Sequence, residues 1–230
     1  MVKIDIILVG YIKNLIDKSY LKNWKSEIFE IENIREVDLS SGAGFSEPVC
    51  SFQKIQNEVQ TNNNLTIAIS NYYFPGNLIS NPLSENLISL SIYDFDKTLK
   101  DEKLKIEKFI FRFIYAFAII YETNNSQLPN NTNLIDIDKS IEGCIFDYCR
   151  RHHDSLKFHI KPIISNYSKS ILGNKNKPDN YVNIIESEIR RLKRSLWESI
   201  ELKAKENPAM TTVISLIIGF IFGLLTNLIK

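Results

Sequence analysis

The run Ala209–Ile229 (AMTTVISLIIGFIFGLLTNLI) holds 21 residues without a charge. A helix rises about 1.5 Å per residue, so this run spans about 31 Å, close to the hydrocarbon thickness of a bilayer. A helix in a water-soluble core is rarely apolar on every face for so long. The expectation is one transmembrane helix over 209–229. The alternative is a hydrophobic C-terminal helix packed into a core.

Within this run Thr211, Ser215, Gly219, Gly223 and Asn227 recur at every fourth position, which places them on one helix face. Gly219 and Gly223 form a GxxxG, and Ser215 extends it by a turn. Small residues let helices approach closely in lipid, and Thr or Asn can hydrogen-bond across the contact. The expectation is association between copies through this face, with Leu216, Ile217, Phe220 and Leu224 turned to acyl chains.

Outside the run about 200 residues remain, enough for one domain with a sizeable core. The net charge of +1 gives no field that would recruit nucleic acid. The opening MVKIDIILVG has a short apolar run broken by Lys3 and Asp5, unlike a secretory signal. Three cysteines do not suggest a disulfide framework. Arg190, Arg191, Lys193, Arg194, Lys203 and Lys205 precede the apolar run. By the positive-inside rule they hold the N-terminal domain in the cytoplasm. The expected location is the inner membrane, single-pass and tail-anchored.

Along the chain, strands are expected over Val2–Tyr11, Phe29–Leu39, Leu65–Phe74 and Asn86–Tyr93, from β-branched content and alternation. Short helices are expected over 12–25 and 52–59. Ile106–Tyr121 (IEKFIFRFIYAFAIIY) reads as a central core helix, being shorter than a span and interrupted by Lys108 and Arg112. Tyr181–Glu206 reads as one long helix ended by Asn207-Pro208. Val182, Ile185, Ile189, Leu192 and Leu196 step 3-4-3-4 along it, a seam able to pack on the domain or on a second copy. The fold class expected is an α+β domain of about four strands over 1–174, a linker and amphipathic stalk over 175–208, and the transmembrane helix.

Chemistry-bearing residues concentrate in one place. Cys144, Cys149, His152, His153 and His159 fall within 16 residues. Thiolates and imidazoles at that density form a candidate zinc set, although paired C-x-x-C and H-E-x-x-H motifs are missing. Cys144 and Cys149 also suit a small-residue core role. Gly42-Ala-Gly44 lacks the remaining signature of a dinucleotide loop or P-loop and reads as a turn. Asp94/Asp96 and Asp136/Asp138 read as caps or turns. No catalytic residue is assigned.

The run Glu142-Gly-Cys-Ile-Phe-Asp-Tyr-Cys149 resembles a segment of archaemetzincin-type zinc-protease domains, over 136–172. It departs from them at Pro162–Ser168, where a second cysteine pair would fall and none occurs. The resemblance implies a catalytically inactive, sensing version. The whole arrangement is similar to the membrane effectors of bacterial antiphage, abortive-infection systems. It implies a domain that senses a signalling ligand or protein trigger and gathers the tail helices to breach the inner membrane. The alternatives are a membrane-anchored zinc-dependent hydrolase and a passive tail-anchored adaptor. No other cofactor is implied.

Overall fold

Six of the eight residues of Val2–Val9 are apolar, and all but Lys3 are buried, so this strand (β1) must lie inside a sheet covered on both faces. The computed structural model describes residues 1–10, 12, 14–39, 50–93, 95–129, 141, 143–147, 152–175 and 177–228, the side chains of 77, 152–155, 210, 211, 214, 222 and 224–228 excepted. The further strands are β2 (Phe29–Val37), β3 (Leu65–Ser70), β4 (Ser80–Ser84) and β5 (Leu87–Ser91). The sheet order is β2-β1-β3-β5-β4. The first four of these are mutually parallel, and β4 runs antiparallel to β5.

The helices are α1 (Lys18–Lys22), α2 (Phe52–Glu58), α3 (Phe95–Asp101), α4 (Ile106–Thr123), α5 (His152–Ile160), α6 (Asn166–Gly173), α7 (Tyr181–Ile189), α8 (Leu196–Glu206) and α9 (Pro208–Leu228). From β1 the chain moves outward to β2, then returns past β1 to β3. Both crossovers are right-handed only if their helices lie on opposite faces. Leu21 of α1 accordingly packs with Ile4, Ile6 and Leu8, and Ile55 of α2 packs with Ile7 and Val9. The result is an α/β layering, thick on the α4 side and thin on the α2 side.

This corrects the expected α+β class. The strands of the N-terminal half alternate with helices and pair in parallel, and a fifth strand closes one edge. Pro82 lies in that strand, where a missing N–H is tolerated because the strand is at the edge.

Helix α4 fills the thick side. Of its residues Ile106–Tyr121 only Phe113 escapes full burial, so its polar groups must find partners inside. Glu107 accepts from the Asp17 N–H at 2.7 Å. Lys108 pairs with Glu198 at 2.6 Å. Arg112 donates to the carbonyls of Cys144 and Asp147. The Tyr115 hydroxyl donates to Glu188 at 2.6 Å and accepts from Trp24 Nε1 at 2.9 Å. Glu188 also takes the Ser26 hydroxyl and the Glu27 N–H, each at 2.6 Å.

The expected long stalk helix is two helices. After Ile189 a 3-10 turn, Arg190–Leu192, tightens the chain, and Lys193–Ser195 leave the helix. Ser195 then caps α8, with its hydroxyl accepting from the Glu198 N–H and Glu198 accepting from the Ser195 N–H. Ile185, Ile189 and Leu192 are fully buried against the domain, Val182 is half-buried and Leu196 is 86% exposed. The seam therefore ends at Leu192.

The transmembrane, tail-anchored expectation for 209–229 is also corrected. The stretch lies in α9, yet among the described residues no helix is long and apolar enough to cross a membrane. The expected single-pass placement in the inner membrane, with a cytoplasmic N-terminal domain, falls with it.

Tyr115→Phe removes one donor to a buried carboxylate and the acceptor of the Trp24 N–H. It should lower stability by about 1–3 kcal/mol, read as a lower urea midpoint at unchanged slope.

Candidate functional site

In an open parallel sheet, ligands bind outside the carboxyl ends of the strands where the connections diverge to opposite faces. Here that place lies between β1 and β3, whose neighbours are reached in opposite directions. β1 ends at Val9 and is followed by Gly10, with φ +75° and its N–H on the Val37 carbonyl at 2.9 Å. The Tyr72 ring lies against Gly10 so closely that a Cβ there would sit 2.5 Å from Tyr72 Cε2. Glycine is needed on both counts.

At this end Val9, Ser70 and Ser91 lie side by side in register across three strands. The backbone carbonyl of Ser70 accepts from Ile92 at 2.8 Å, but its buried Oγ has no partner among the described residues. The Ser91 hydroxyl donates to the Tyr72 carbonyl at 2.6 Å and accepts from the Tyr93 N–H at 3.2 Å, which fixes the loop after β3. Cys50 closes the corner, its N–H on the Tyr73 carbonyl at 3.0 Å. Burial pushes the Cys50 thiol up and keeps it protonated, so it is no nucleophile at neutral pH. Burial also raises the Tyr72 phenol, helped by Cys50 and Asp38.

A second polar cluster sits at the amino end of the same face. Asp5 is fully buried and accepts from Asn33 at 2.8 Å, Asn62 at 2.6 Å and Asn64 at 3.4 Å. A bulge in β2 opposite Ile4/Asp5 brings Asn33 level with Asp5. Asn64 also donates to Glu32 at 2.8 Å. These bonds tie the loop before β3 to β1 and β2, a structural use of the carboxylate.

Of the five candidate zinc residues, the side chains of Cys144 and His159 are described. Cys149 lies outside the described residues, as do the side chains of His152 and His153. Cys144 is buried with its thiol 3.8 Å from the Ser168 hydroxyl. His159 is buried with Nδ1 3.0 Å from the Leu192 carbonyl. That carbonyl only accepts, so Nδ1 carries the proton. Nε2 has no partner among the described residues. No group of three His, Cys, Asp or Glu side chains able to hold a metal occurs among the described residues. Asp94, Gly42, Gly44, Asp136 and Asp138 lie outside them too, and Asp96 pairs with Lys100 at 2.7 Å on α3.

Of the small residues on the tail, Ser215 and Gly219 are exposed on α9 and open space surrounds Gly219, while the side chains of Thr211 and Asn227 are not described. The carboxyl-edge group of Gly10, Ser70, Tyr72 and Ser91 was not singled out from sequence. The only signal available was the placement of Gly10 and Ser70 at the ends of two strongly apolar strands.

Comparison with family models, curated proteins and solved structures finds no match.

Burial pushes the His159 imidazole down to about 3, with Arg112 and Lys108 adding to the effect and the Leu192 carbonyl opposing it. The folded chain therefore keeps His159 neutral where the unfolded chain, near 6.5, takes up a proton. Stability should fall as pH drops from about 6.5 toward 3, by up to about 1.4 kcal/mol per pH unit. Urea midpoints of the wild type and His159→Leu at pH 7 and 5 check this. The variant should lose that part of the pH dependence.

Proposed function

We propose that this chain is a sensing module that takes a small polar ligand at the carboxyl edge of its sheet, between β1 and β3. Nucleotides are the ligand class to test first. The observation that carries the reading is the Ser70 hydroxyl, buried without a partner at the point where this topology collects ligands. An unpartnered buried hydroxyl costs stability, and a ligand that accepts its hydrogen recovers that cost. Tyr72 offers a flat face beside it. The chain's output is association with further copies through α9. There Val213, Leu216, Ile217 and Phe220 are each at least half exposed, a concentration of apolar surface that a partner helix would cover.

Ser70→Ala separates this reading from a structural role. It should raise the urea midpoint of the ligand-free chain, since it removes an unsatisfied group worth about 1–3 kcal/mol. It should also abolish stabilisation by any member of a panel of mono- and dinucleotides that stabilises the wild type. A wild type that responds to none of the panel, or a variant that responds equally, overturns the nucleotide reading. In sedimentation equilibrium, Gly219→Leu should weaken association of the full chain. Unchanged association removes α9 as the contact.

A further inference from the structure

Helix α8 lies on the domain the wrong way round for a surface helix. Among its described residues only Glu198 is buried, while Leu196, Trp197 and Ile200 are 86%, 68% and 42% exposed. A surface helix ordinarily turns its apolar stripe inward. This one is fastened through charge. Glu198 Oε2 accepts from Lys108 Nζ at 2.6 Å, and both side chains are largely withdrawn from water. At its far end Lys205 pairs with Asp101 at 2.8 Å in solvent. Just before it, Arg194 pairs with Glu102 at 2.7 Å, and the Arg194 N–H donates to the His159 carbonyl at 2.7 Å. The second acceptor of Lys108 is the Lys193 carbonyl at 3.1 Å, in the segment that leads into α8.

We infer that α8 is a detachable arm, latched to α4 by the Lys108–Glu198 pair and hinged at Lys193–Ser195. The buried pair roughly balances its attraction against the hydration it gives up. Lifting α8 returns water to both ions and uncovers no apolar residue known to face inward from α8 other than the half-buried Leu202 and Ala204. Opening there is local, well below the cost of unfolding the sheet and α4. The movement carries α9 with it, because only Asn207 separates the two helices.

The test is Glu198→Gln in the full chain. Glutamine serves in the same position of a capping box, so the start of α8 keeps its cap while the ion pair is lost. Hydrogen exchange at 196–206 should quicken by on the order of 100-fold, with the amides of β1 and α4 little changed. Acylation of the Lys108 amine, read by mass spectrometry, should rise alongside, which fraying of α8 alone would not produce. The double variant Lys108→Met/Glu198→Leu should restore slow exchange at 196–206 through an apolar contact. The latch is refuted if Glu198→Gln leaves exchange at 196–206 unchanged, or if β1 and α4 exchange faster in step with it.

Discussion

Helix α4 is buried along nearly its whole length, and four of its buried hydrogen-bonding side chains, Glu107, Lys108, Arg112 and Tyr115, dictate where much of the remaining chain must go. A helix so placed cannot send Glu107, Lys108, Arg112 or Tyr115 to solvent. Each must be met by a group brought from elsewhere in the chain. The partners come from the entry to α1, the first turn of α8 and the segment before it, the Cys144–Asp147 turn, and α7 together with the β1–β2 connection. Apolar packing alone would let these segments slide along α4. The polar matches set their register, since a shift of one residue leaves a charge or hydroxyl buried without a partner. Aromatic stacking adds to this where Trp24 lies on Phe111 at 4.3 Å between ring centres and the Arg191 guanidinium lies over the Trp24 ring at 4.1 Å.

The thin face of the sheet follows a different rule. It carries Thr66, Ala68 and Ser70 on β3 and Ser89 and Ser91 on β5, small side chains on the face that the short helix α2 covers. Such a face cannot be filled by apolar volume as the α4 face is. Its hydroxyls either reach backbone carbonyls, as Ser89 does at Asn81 and Ser91 at Tyr72, or stay unpartnered among the described residues, as at Thr66 and Ser70. Thr66 sits at the closed amino end, level with Asp5, whereas Ser70 sits where the crossovers part. The same unpartnered hydroxyl therefore stands at both ends of β3, but only Ser70 stands where an open α/β sheet collects ligands.

Much of the central layer was legible in the sequence. β1, β3 and β5 announce themselves because strands buried on both faces are dense in Ile, Leu and Val, and α4 because its apolar residues run too long for a strand. The parallel pairing was also present, in the alternation of strand and helix through residue 70, although strand content by itself reads equally well as α+β. β4 was not legible. Ser80–Ser84 (SNPLS) has a proline and three polar residues, and it is a strand only because β5 lies beside it. The division of 181–206 was marked by Ser195-x-x-Glu198, a helix start hidden inside a pattern that continues to look helical. The carboxyl-edge corner could not be read, because an unpartnered serine is defined by what surrounds it. For the tail, apolar composition alone led to a membrane assignment that the described residues do not support.

The contrast between α7 and α8 shows where the folded body ends. α7 and the turn after it commit Ile185, Ile189 and Leu192 to the core, each fully buried, and Glu188 to the Tyr115 network. Removing them would open apolar surface and strand a carboxylate, so this segment is part of the core. Three residues later the chain makes no comparable investment. Leu196, Trp197 and Ile200 face outward, Leu202 and Ala204 are only half-buried, and the one fully buried contact is a carboxylate on an ammonium. Apolar burial is insensitive to small displacements, whereas an ion pair is specific and nearly neutral in net energy. A segment held by the first belongs permanently to the domain. One held by the second is positioned without being committed, which is the physical requirement for an element that moves as a unit.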